Sequence, residues 1–238
     1  MGGAALGADV TEAPQRAVVG DGPHPVVPGS LGVFGGTFDP IHLAHLAVAQ
    51  EAAESLGLER VLFIPAGEPP HKPGQAITTA AHRFAMVELA IAGNERFAVD
   101  RLELERPGPS YTVDTLEALR ATRVGAGASA DLTLVLSADA FLGLMTWREP
   151  RRVLELARVV VAPRDGYPAA GPDFLARHLP DLAERATFLD GPRLRLSASE
   201  LRSRAAAGRS LRYLVPDAVA AYIGDHALYQ QPRRNPPS

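Results

Sequence analysis

The chain has 238 residues, of which 46% are hydrophobic, and it contains no cysteine. This length is sufficient for one sizeable core, whereas the missing cysteines exclude disulfides and cysteine-ligated zinc sites and are consistent with a reducing cytoplasm. The net charge of −3 gives no basic field that would indicate a nucleic-acid partner, and no apolar run reaches the roughly 18 residues that predict a membrane span. We therefore expect a cytoplasmic protein without nucleic-acid or membrane partners.

Both ends of the sequence lack the hydrophobic periodicity of helices and strands. Residues 1–29 are rich in Gly, Ala and Pro, and no basic region followed by an apolar core marks them as a signal peptide. We interpret them as a disordered tail or an overlong start, and residues 230–238 as a flexible C-terminal tail. The sequence thus predicts a single domain over residues 30–229.

Between these tails, short apolar runs alternate with segments of helical period. The predicted strands are SLGVFGG (30–36), RVLFIPA (60–66), RFAVD (96–100), DLTLVLSAD (131–139), RVVVAP (158–163) and ATFLD (186–190). The predicted helices are LAHLAVAQEAAESLG (43–57), TTAAHRFAMVELAIAG (78–93), SYTVDTLEALRATR (110–123), SASELRSRAAAG (197–208) and PDAVAAYIGDHAL (216–228). This alternation predicts an α/β fold, a doubly wound Rossmann-like parallel sheet with helices on both faces. Ligands of such folds bind beyond the carboxyl ends of the strands.

Two glycines directly follow the first predicted strand, in the segment GGTFDPIHLAH (35–45). Gly35 and Gly36 lack a Cβ, so a ligand could approach the backbone closely there. Asp39 is predicted to be the N-cap of the following helix and Pro40 its first residue. The segment therefore predicts a ligand-binding turn that leads into a helix.

Two histidines in this segment are three residues apart, so they would share one face of the first helical turn. Free backbone N–H groups and the helix dipole favour anions there, and His42 and His45 would add donors, either neutral or charged by a nearby phosphate. We interpret the pair as a phosphate site. Two other interpretations stay open: a pair of metal ligands, for which no third ligand is evident, or an incidental surface pair.

A second candidate phosphate site lies near the C-terminus, in LSASELR (196–202). Ser197 and Ser199 place hydroxyls at a predicted helix start, and the planar guanidinium of Arg202 follows one turn later. By itself the segment could be an ordinary capped helix with a surface arginine. Together with the first site it would complete a cradle for a polyphosphate.

Five ordered segments of the sequence resemble the motifs of one family. GGTFDPIHLAH resembles the GGxFxPxHxGH signature of the nucleotidyltransferase superfamily, and LSASELR resembles its ISSTxxR signature. Three further segments are similar to motifs of the bacterial nicotinate mononucleotide adenylyltransferases, namely PAGEPPHKPG (65–74), RPGPSYTVDTLEAL (106–119) and LSADAFLGLMTW (136–147). The match runs from about residue 31 to residue 229, and the spacing agrees throughout.

The resemblance implies that the protein is an enzyme of NAD biosynthesis with the fold of the nucleotidyltransferases. It would transfer the adenylyl group of ATP to nicotinate mononucleotide (NaMN), giving nicotinate adenine dinucleotide (NaAD) and pyrophosphate. In this family the acceptor phosphate attacks the α-phosphorus directly, and Mg²⁺ is held through the ATP phosphates rather than by protein side chains. The resemblance leaves open whether the chain forms a homo-oligomer.

The resemblance also implies the residues of the ATP site. His45, supported by His42, would stabilise the transition state at the α-phosphorus, and Arg202 would hold the departing pyrophosphate. Asp139 would accept hydrogen bonds from sugar hydroxyls, although it could instead be the N-cap of a helix. The full implied ATP site is Gly35, Gly36, Thr37, Phe38, His42, His45, Asp139, Ser197, Ser199 and Arg202.

The acceptor site would come from the middle of the chain. Trp147, the only tryptophan, could stack on the pyridine ring or could simply pack in the core. Backbone N–H groups near Tyr111 and Thr112 would bind the nicotinate carboxylate, which nicotinamide lacks. Lys72, the only lysine, would approach the acceptor phosphate, and its neighbour His71 has no assigned role.

The sequence departs from the family motifs at several positions, none of which removes a catalytic group. Ala44 replaces the glycine of HxGH, Ser137 replaces the glycine of the GxD motif, Ala198 removes one hydroxyl, and REPRR (148–152) follows Trp147. Two other functions remain as alternatives. One is a pantetheine-phosphate adenylyltransferase or a cytidylyltransferase, which lacks the PPHK and SYTxDTL segments. The other is a nucleotide-binding regulatory domain that has lost catalysis.

Overall fold

The computed structural model describes residues 24–69, 77–168, 171 and 173–230. Its strands are β1 (Val27–Gly36), β2 (Leu58–Pro65), β3 (Phe97–Val99), β4 (Leu132–Ser137), β5 (Arg158–Ala162) and β6 (Ala186–Phe188). Its helices are α1 (Leu43–Ser55), α2 (Ala80–Ile91), α3 (Thr112–Gly125), α4 (Ala138–Leu142), α5 (Pro150–Leu156), α6 (Asp173–His178), α7 (Ala198–Ala206) and α8 (Asp217–Asp225). Lys72 and His71 lie outside the described residues, as do residues 1–23 and 231–238 of the predicted tails.

The strands form one six-stranded sheet in the order β3-β2-β1-β4-β5-β6, and every neighbouring pair is parallel. The chain builds outward from β1 to β3 and then returns to the other side of β1. The prediction of a doubly wound, Rossmann-like sheet is confirmed. Because the strand order reverses between β1 and β4, a crevice opens beyond their carboxyl ends, at Gly36 and Ser137.

Two apolar cores, one on each face of the sheet, hold the helices in place. Side chains alternate across a strand, so Val33 of β1 packs into one core and Phe34 into the other. The first core includes Leu116 of α3, and the second includes Met86 of α2. Both faces are therefore covered, as a parallel sheet requires. None of the helices in the described part of the chain is both long and apolar enough to cross a membrane.

The first strand begins earlier than the sequence predicts. Val27 pairs with Leu58, and its N–H donates to the carbonyl of Gly57 at 2.8 Å. The register is irregular between Val27 and Leu31, and Gly29 adopts a φ of 78° in this interval. Residues 27–29 therefore belong to the sheet and not to a disordered tail. The irregularity interrupts the period-2 pattern, which is why the pattern alone places the start at Ser30.

Candidate active site

A cleft of about 430 Å³ lies beyond the carboxyl ends of β1, β4 and β5. Six of the predicted ATP-site residues line it: Gly35, Gly36, Phe38, His42, His45 and Ser197. Ala44 and Ser137, two of the positions that depart from the family motifs, also line it, so both lie at the same cleft as the histidines. The structure thus brings the two predicted phosphate sites, about 150 residues apart in sequence, to a single cleft.

The start of α1 differs from the prediction. The N-cap is His42, with φ −146° and ψ 169°, so the assignments of Asp39 as N-cap and Pro40 as first helical residue are wrong. Asp39 is only 3% exposed, and its carboxylate accepts hydrogen bonds from the Thr78 N–H at 3.1 Å and the Tyr229 hydroxyl at 2.7 Å. A buried carboxylate requires such partners, and here they come from distant parts of the chain.

The two histidines lie together, as their spacing predicts. The backbone N–H of His42 donates to Nδ1 of His45 at 3.2 Å, and the two rings stack with centroids 3.7 Å apart. Because Nδ1 of His45 accepts this bond, the neutral ring carries its proton on Nε2. His45 is therefore a donor whose orientation is fixed by the helix start. As for the metal-ligand alternative, the described residues contain no group of three or more His, Asp or Glu side chains that could hold a metal ion.

Both imidazoles are neutral near pH 7. Burial lowers the pKa of His42 to about 4, and the positive charge of Arg164 contributes to the same shift. Burial also holds the pKa of His45 well below its ordinary value, with further contributions from His42 and Arg164. Nδ1 of His42 is buried and has no hydrogen-bond partner among the described residues. The pair therefore offers neutral hydrogen-bonding groups, while the positive charge of the cleft comes from arginine.

The turn between β1 and α1 has a constrained backbone. Phe38 adopts a φ of 50°, in the left-handed region, and its ring packs edge-on against Phe34 and His45 with centroids 5.7 and 5.2 Å away. A Cβ added to Gly36 would lie 3.0 Å from the Phe38 ring, so this position accepts only glycine without rearrangement. A Cβ added to Gly35 would meet nothing within 4 Å, which leaves its backbone open to a ligand.

The serine–arginine segment approaches the same turn from the other side. Ser197 is the N-cap of α7 and lines the cleft, whereas Ser199 and Arg202 are not among the residues that line it. Arg202 donates from Nη1 to the carbonyl of Asp39 at 2.8 Å and from Nη2 to Oγ of Ser199 at 3.2 Å. Arg202 is thus not an isolated surface arginine, because it connects α7 to the turn after β1.

Asp139 lies in the first turn of α4, whose N-cap is Ser137. The alternative interpretation of Asp139 as the N-cap is therefore wrong. Its Oδ1 is buried without a hydrogen-bond partner among the described residues and forms an ion pair with Nε of Arg164, 3.5 Å away. This pair orients Arg164, which lines the cleft and lowers the pKa of both histidines.

The predicted acceptor residues that the structure describes, Tyr111, Thr112 and Trp147, do not line this cleft. Helix α3 begins at Thr112 with Tyr111 as its N-cap, so the predicted helix start is confirmed. Trp147 is partly buried against the first core, and the guanidinium of Arg148 lies 4.9 Å from the centroid of the Tyr111 ring. Ser110 donates its N–H to the carbonyl of Glu68 at 2.9 Å, so this group adjoins the carboxyl end of β2.

Sequence reasoning missed two arginines of the site. Arg164 follows β5 after one proline, and its position beyond the end of a predicted strand was the signal that could have identified it. Arg83 lies in α2 and is only 2% exposed, although it is charged. The sequence signal for its burial is its spacing from two apolar residues. Met86 and Val87 follow it by three and four positions and so share its buried helix face.

Comparison with known proteins gives a consistent result. A family model described as cytidylyltransferase-like matches residues 33–204. A probable nicotinate-nucleotide adenylyltransferase of Roseiflexus sp. (strain RS-1) is 48% identical over 84% of this chain and 98% of its own length. A protein of the same name from Thermomicrobium roseum is 46% identical over 84% of this chain and 91% of its own length. In fold, the chain resembles Plasmodium falciparum nicotinic acid mononucleotide adenylyltransferase complexed with NaAD, with TM-score 0.65 and 15% identity over 84% of this chain and 97% of that one.

The low pKa of His42 predicts a pH dependence of stability. Between pH 6.5 and about 4 the unfolded chain binds a proton at this residue that the folded chain does not, so the free energy of unfolding falls as the pH is lowered. At pH 5 this contribution amounts to about 2 kcal/mol. His42→Gln, which cannot titrate, should therefore lose less Tm between pH 7 and pH 5 than the wild type, as measured by thermal unfolding. The same change at the exposed His24 is the matched control, and equal declines in all three proteins would contradict the argument.

Proposed function

This chain belongs to the nicotinate-nucleotide adenylyltransferase family, and we propose that the cleft beyond β1, β4 and β5 performs the transfer of the adenylyl group from ATP to NaMN. The products are NaAD and pyrophosphate. One observation carries the assignment of the catalytic centre. The hydrogen bond from the backbone N–H of His42 to Nδ1 of His45 leaves Nε2 of His45 as a donor of fixed orientation, in a residue that lines the cleft next to the glycine turn.

The reaction requires positioning and charge stabilisation rather than a protein nucleophile. A phosphate oxygen of NaMN attacks the α-phosphorus of ATP, the new P–O bond forms, and the bond to the β-phosphate oxygen breaks to release pyrophosphate. Negative charge grows on the oxygens of the α-phosphoryl group and on the leaving group. A neutral His45 would donate Nε2–H to an α-phosphoryl oxygen without giving up the proton. A preorganised donor of this kind is typically worth about 10²–10³ in rate.

The other predicted ATP residues would surround the triphosphate. The backbone of Gly35 and Gly36 would contact the phosphates at close range, with Thr37 and Phe38 completing the turn. Ser197, Ser199 and Arg202 would bind the β- and γ-phosphates from the side of α7, and Asp139 would accept from the sugar hydroxyls. We add Arg164 to this set, because it lines the cleft and its positive charge acts on both histidines.

Mg²⁺ fits this chemistry as a cofactor bound through the substrate. It commonly keeps several waters and binds through substrate phosphates with at most one or two carboxylates, and the carboxylates of Asp165 and Glu200 line the cleft. When bound, it would neutralise charge on the phosphate oxygens. The cysteine-free sequence is consistent with the cytoplasm as the place of this reaction, which is part of the proposal.

For the acceptor, we propose the group at the start of α3. Backbone N–H groups at Tyr111 and Thr112 would bind the nicotinate carboxylate, supported by the helix dipole. Trp147 would stack on the pyridine ring, and Lys72 would approach the acceptor phosphate. Arg148, which packs on the Tyr111 ring, would stabilise the position of that ring at the start of α3.

The acceptor assignment is tested by comparing substrates. Purified protein with ATP and Mg²⁺ should release pyrophosphate with NaMN at a kcat/KM far above that with nicotinamide mononucleotide, because the amide has no anion for the helix start. Phosphopantetheine and CTP with a phosphorylated alcohol serve as the comparison reactions. Preference for the amide, or for one of these comparison reactions, would overturn the assignment. If none of these reactions released pyrophosphate, the result would favour a regulatory nucleotide-binding domain.

The role of His45 is tested by His45→Ala. Loss of the Nε2–H donor should lower kcat by about 10²–10³, while the KM values change less, because the bond is strongest in the transition state. His45→Gln, whose amide can still donate, should retain part of the activity. Unfolding transitions measured on each variant establish that the comparison is between folded proteins. A kcat near the wild-type value in His45→Ala would refute the role.

The role of Trp147 is tested by Trp147→Ala and Trp147→Phe. If the indole stacks on the pyridine ring, removal should raise the KM for NaMN about tenfold or more, with little change in the KM for ATP. The phenylalanine variant should recover most of the affinity, because a flat ring remains. Trp147 also packs against the first core, so equal increases in both KM values would instead indicate that its role is packing.

A further inference from the structure

Arg83 is almost fully buried, and it donates to backbone carbonyls of three different loops. Its Nε donates to Thr78 O at 2.9 Å, its Nη1 to Thr37 O at 2.9 Å, and its Nη2 to Gly67 O at 3.4 Å. Burying a guanidinium is costly unless its donors are satisfied. These three carbonyls, together with attraction from the nearby Asp39 carboxylate, offset that cost.

The three loops belong to different parts of the proposed site. Thr37 follows the two glycines of the ATP turn. Gly67 follows β2, and its N–H donates to Oγ of Ser110 at 3.1 Å, directly before the proposed acceptor residues Tyr111 and Thr112. A bonded path therefore runs from the ATP turn through Arg83 and Gly67 to the start of α3.

The acceptor end of this path is tightly packed. A Cβ added to Gly67 would lie 2.3 Å from the carbonyl of Glu103 and 3.0 Å from Oγ of Ser110, so the loop has no free space at this point. Glu103 is itself only 7% exposed and accepts a hydrogen bond from Thr115 of α3 at 2.7 Å. A displacement of the Gly67 carbonyl would thus be transmitted to α3 rather than absorbed locally.

We propose that Arg83 is a positioning residue that sets the distance between the ATP turn at Thr37 and the loop after β2 at Gly67, which is bonded to the start of α3. This distance would align the α-phosphorus and the acceptor phosphate for attack. This inference rests on the proposed function of the same site. Only arginine suits the position, because its planar fork presents donors in fixed directions to several acceptors, whereas lysine presents a single point charge. An error of about 1 Å in such an alignment can cost on the order of 10²-fold in rate.

The test uses Arg83→Lys, which keeps the charge and removes the fork. We expect kcat to fall about tenfold or more, while the Kd values of α,β-methylene ATP alone and of NaMN alone each change less than about threefold. NaAD occupies both halves of the site at once, so its Kd should rise about tenfold or more. If the role of Arg83 were merely structural, Arg83→Lys would lower Tm but leave kcat and the Kd of NaAD unchanged. That result would overturn the proposal.

Arg123→Lys is the matched control. Arg123 also bridges backbone carbonyls, donating from Nε to Ser129 O at 2.7 Å and from Nη2 to Gly29 O, but at the amino end of β1, away from the cleft. The Arg123→Lys variant should be less stable than the wild type, with no change in kcat or in the affinity for NaAD. If Arg123→Lys changed kcat and the NaAD affinity as much as Arg83→Lys does, the effect would be general destabilisation and the proposal would fail.

A second variant keeps the proposal testable if Arg83→Lys does not fold. In Gly67→Ala the added Cβ must displace the loop from Glu103, which moves the carbonyl that Arg83 binds while Arg83 itself is unchanged. The affinity for NaAD should then fall about tenfold more than the affinity for NaMN alone, and equal losses would overturn the proposal. The wild type separates the two failures: absence of pyrophosphate release from ATP and NaMN would refute the proposed function, whereas an active wild type with unaffected variants would refute only the role of Arg83.

Discussion

The buried carboxylate of Asp39 is the interaction on which the geometry of the cleft depends. Its two oxygens accept from the start of α2, at Thr78, and from Tyr229, close to the end of the described chain. Its own carbonyl accepts from Arg202 of α7. One residue thus holds the turn after β1 against three segments that are far apart in sequence. Breaking such a network would leave a buried charge without a partner, which costs on the order of 3–5 kcal/mol. The histidines that follow Asp39 would then lose their fixed position.

That fixed position explains why neutral histidines suit this site. A charged imidazolium would attract phosphate more strongly, but it would also have to give up the bond from the His42 N–H, because a protonated Nδ1 cannot accept. The helix start therefore selects the neutral tautomer, and burial and Arg164 favour it further. In the proposed mechanism, arginine side chains would provide charge for the phosphates, and His45 would provide a donor of fixed direction. Because this donor is neutral, its contribution would not depend on a proton that must be lost and regained in each cycle.

Much of the fold and of the site could be predicted from the sequence, because both depend on local signals. Alternating apolar runs and helical segments predict the sheet, and the carboxyl-end rule places the glycine turn and the histidines at its edge. What could not be predicted depends on contacts between distant segments. Asp39 has the sequence position of a helix cap, yet its partners lie 39 and 190 residues away. The buried role of Arg83 likewise depends on three loops whose approach no local pattern encodes. The sequence pattern does not predict the start of β1, because an irregularity in its register between Val27 and Leu31 interrupts the alternation.

A direct transfer between two bound phosphates places its demands on the framework rather than on any single group. With no covalent intermediate, the attacking oxygen, the α-phosphorus and the leaving oxygen must be in line at one moment. In the proposed site, the two substrates would be bound by loops on adjacent strands. Strands β1 and β2 keep these loops in register through their parallel ladder, which ends where Ala66 donates to Gly36 O at 2.8 Å. Beyond that bond the ladder no longer constrains the two loops. The side chain of Arg83 donates hydrogen bonds to both of them, at the carbonyls of Thr37 and Gly67. In the proposed site, the sheet would therefore set the coarse separation of the substrates, and the buried guanidinium of Arg83 would set the final alignment that the chemistry requires.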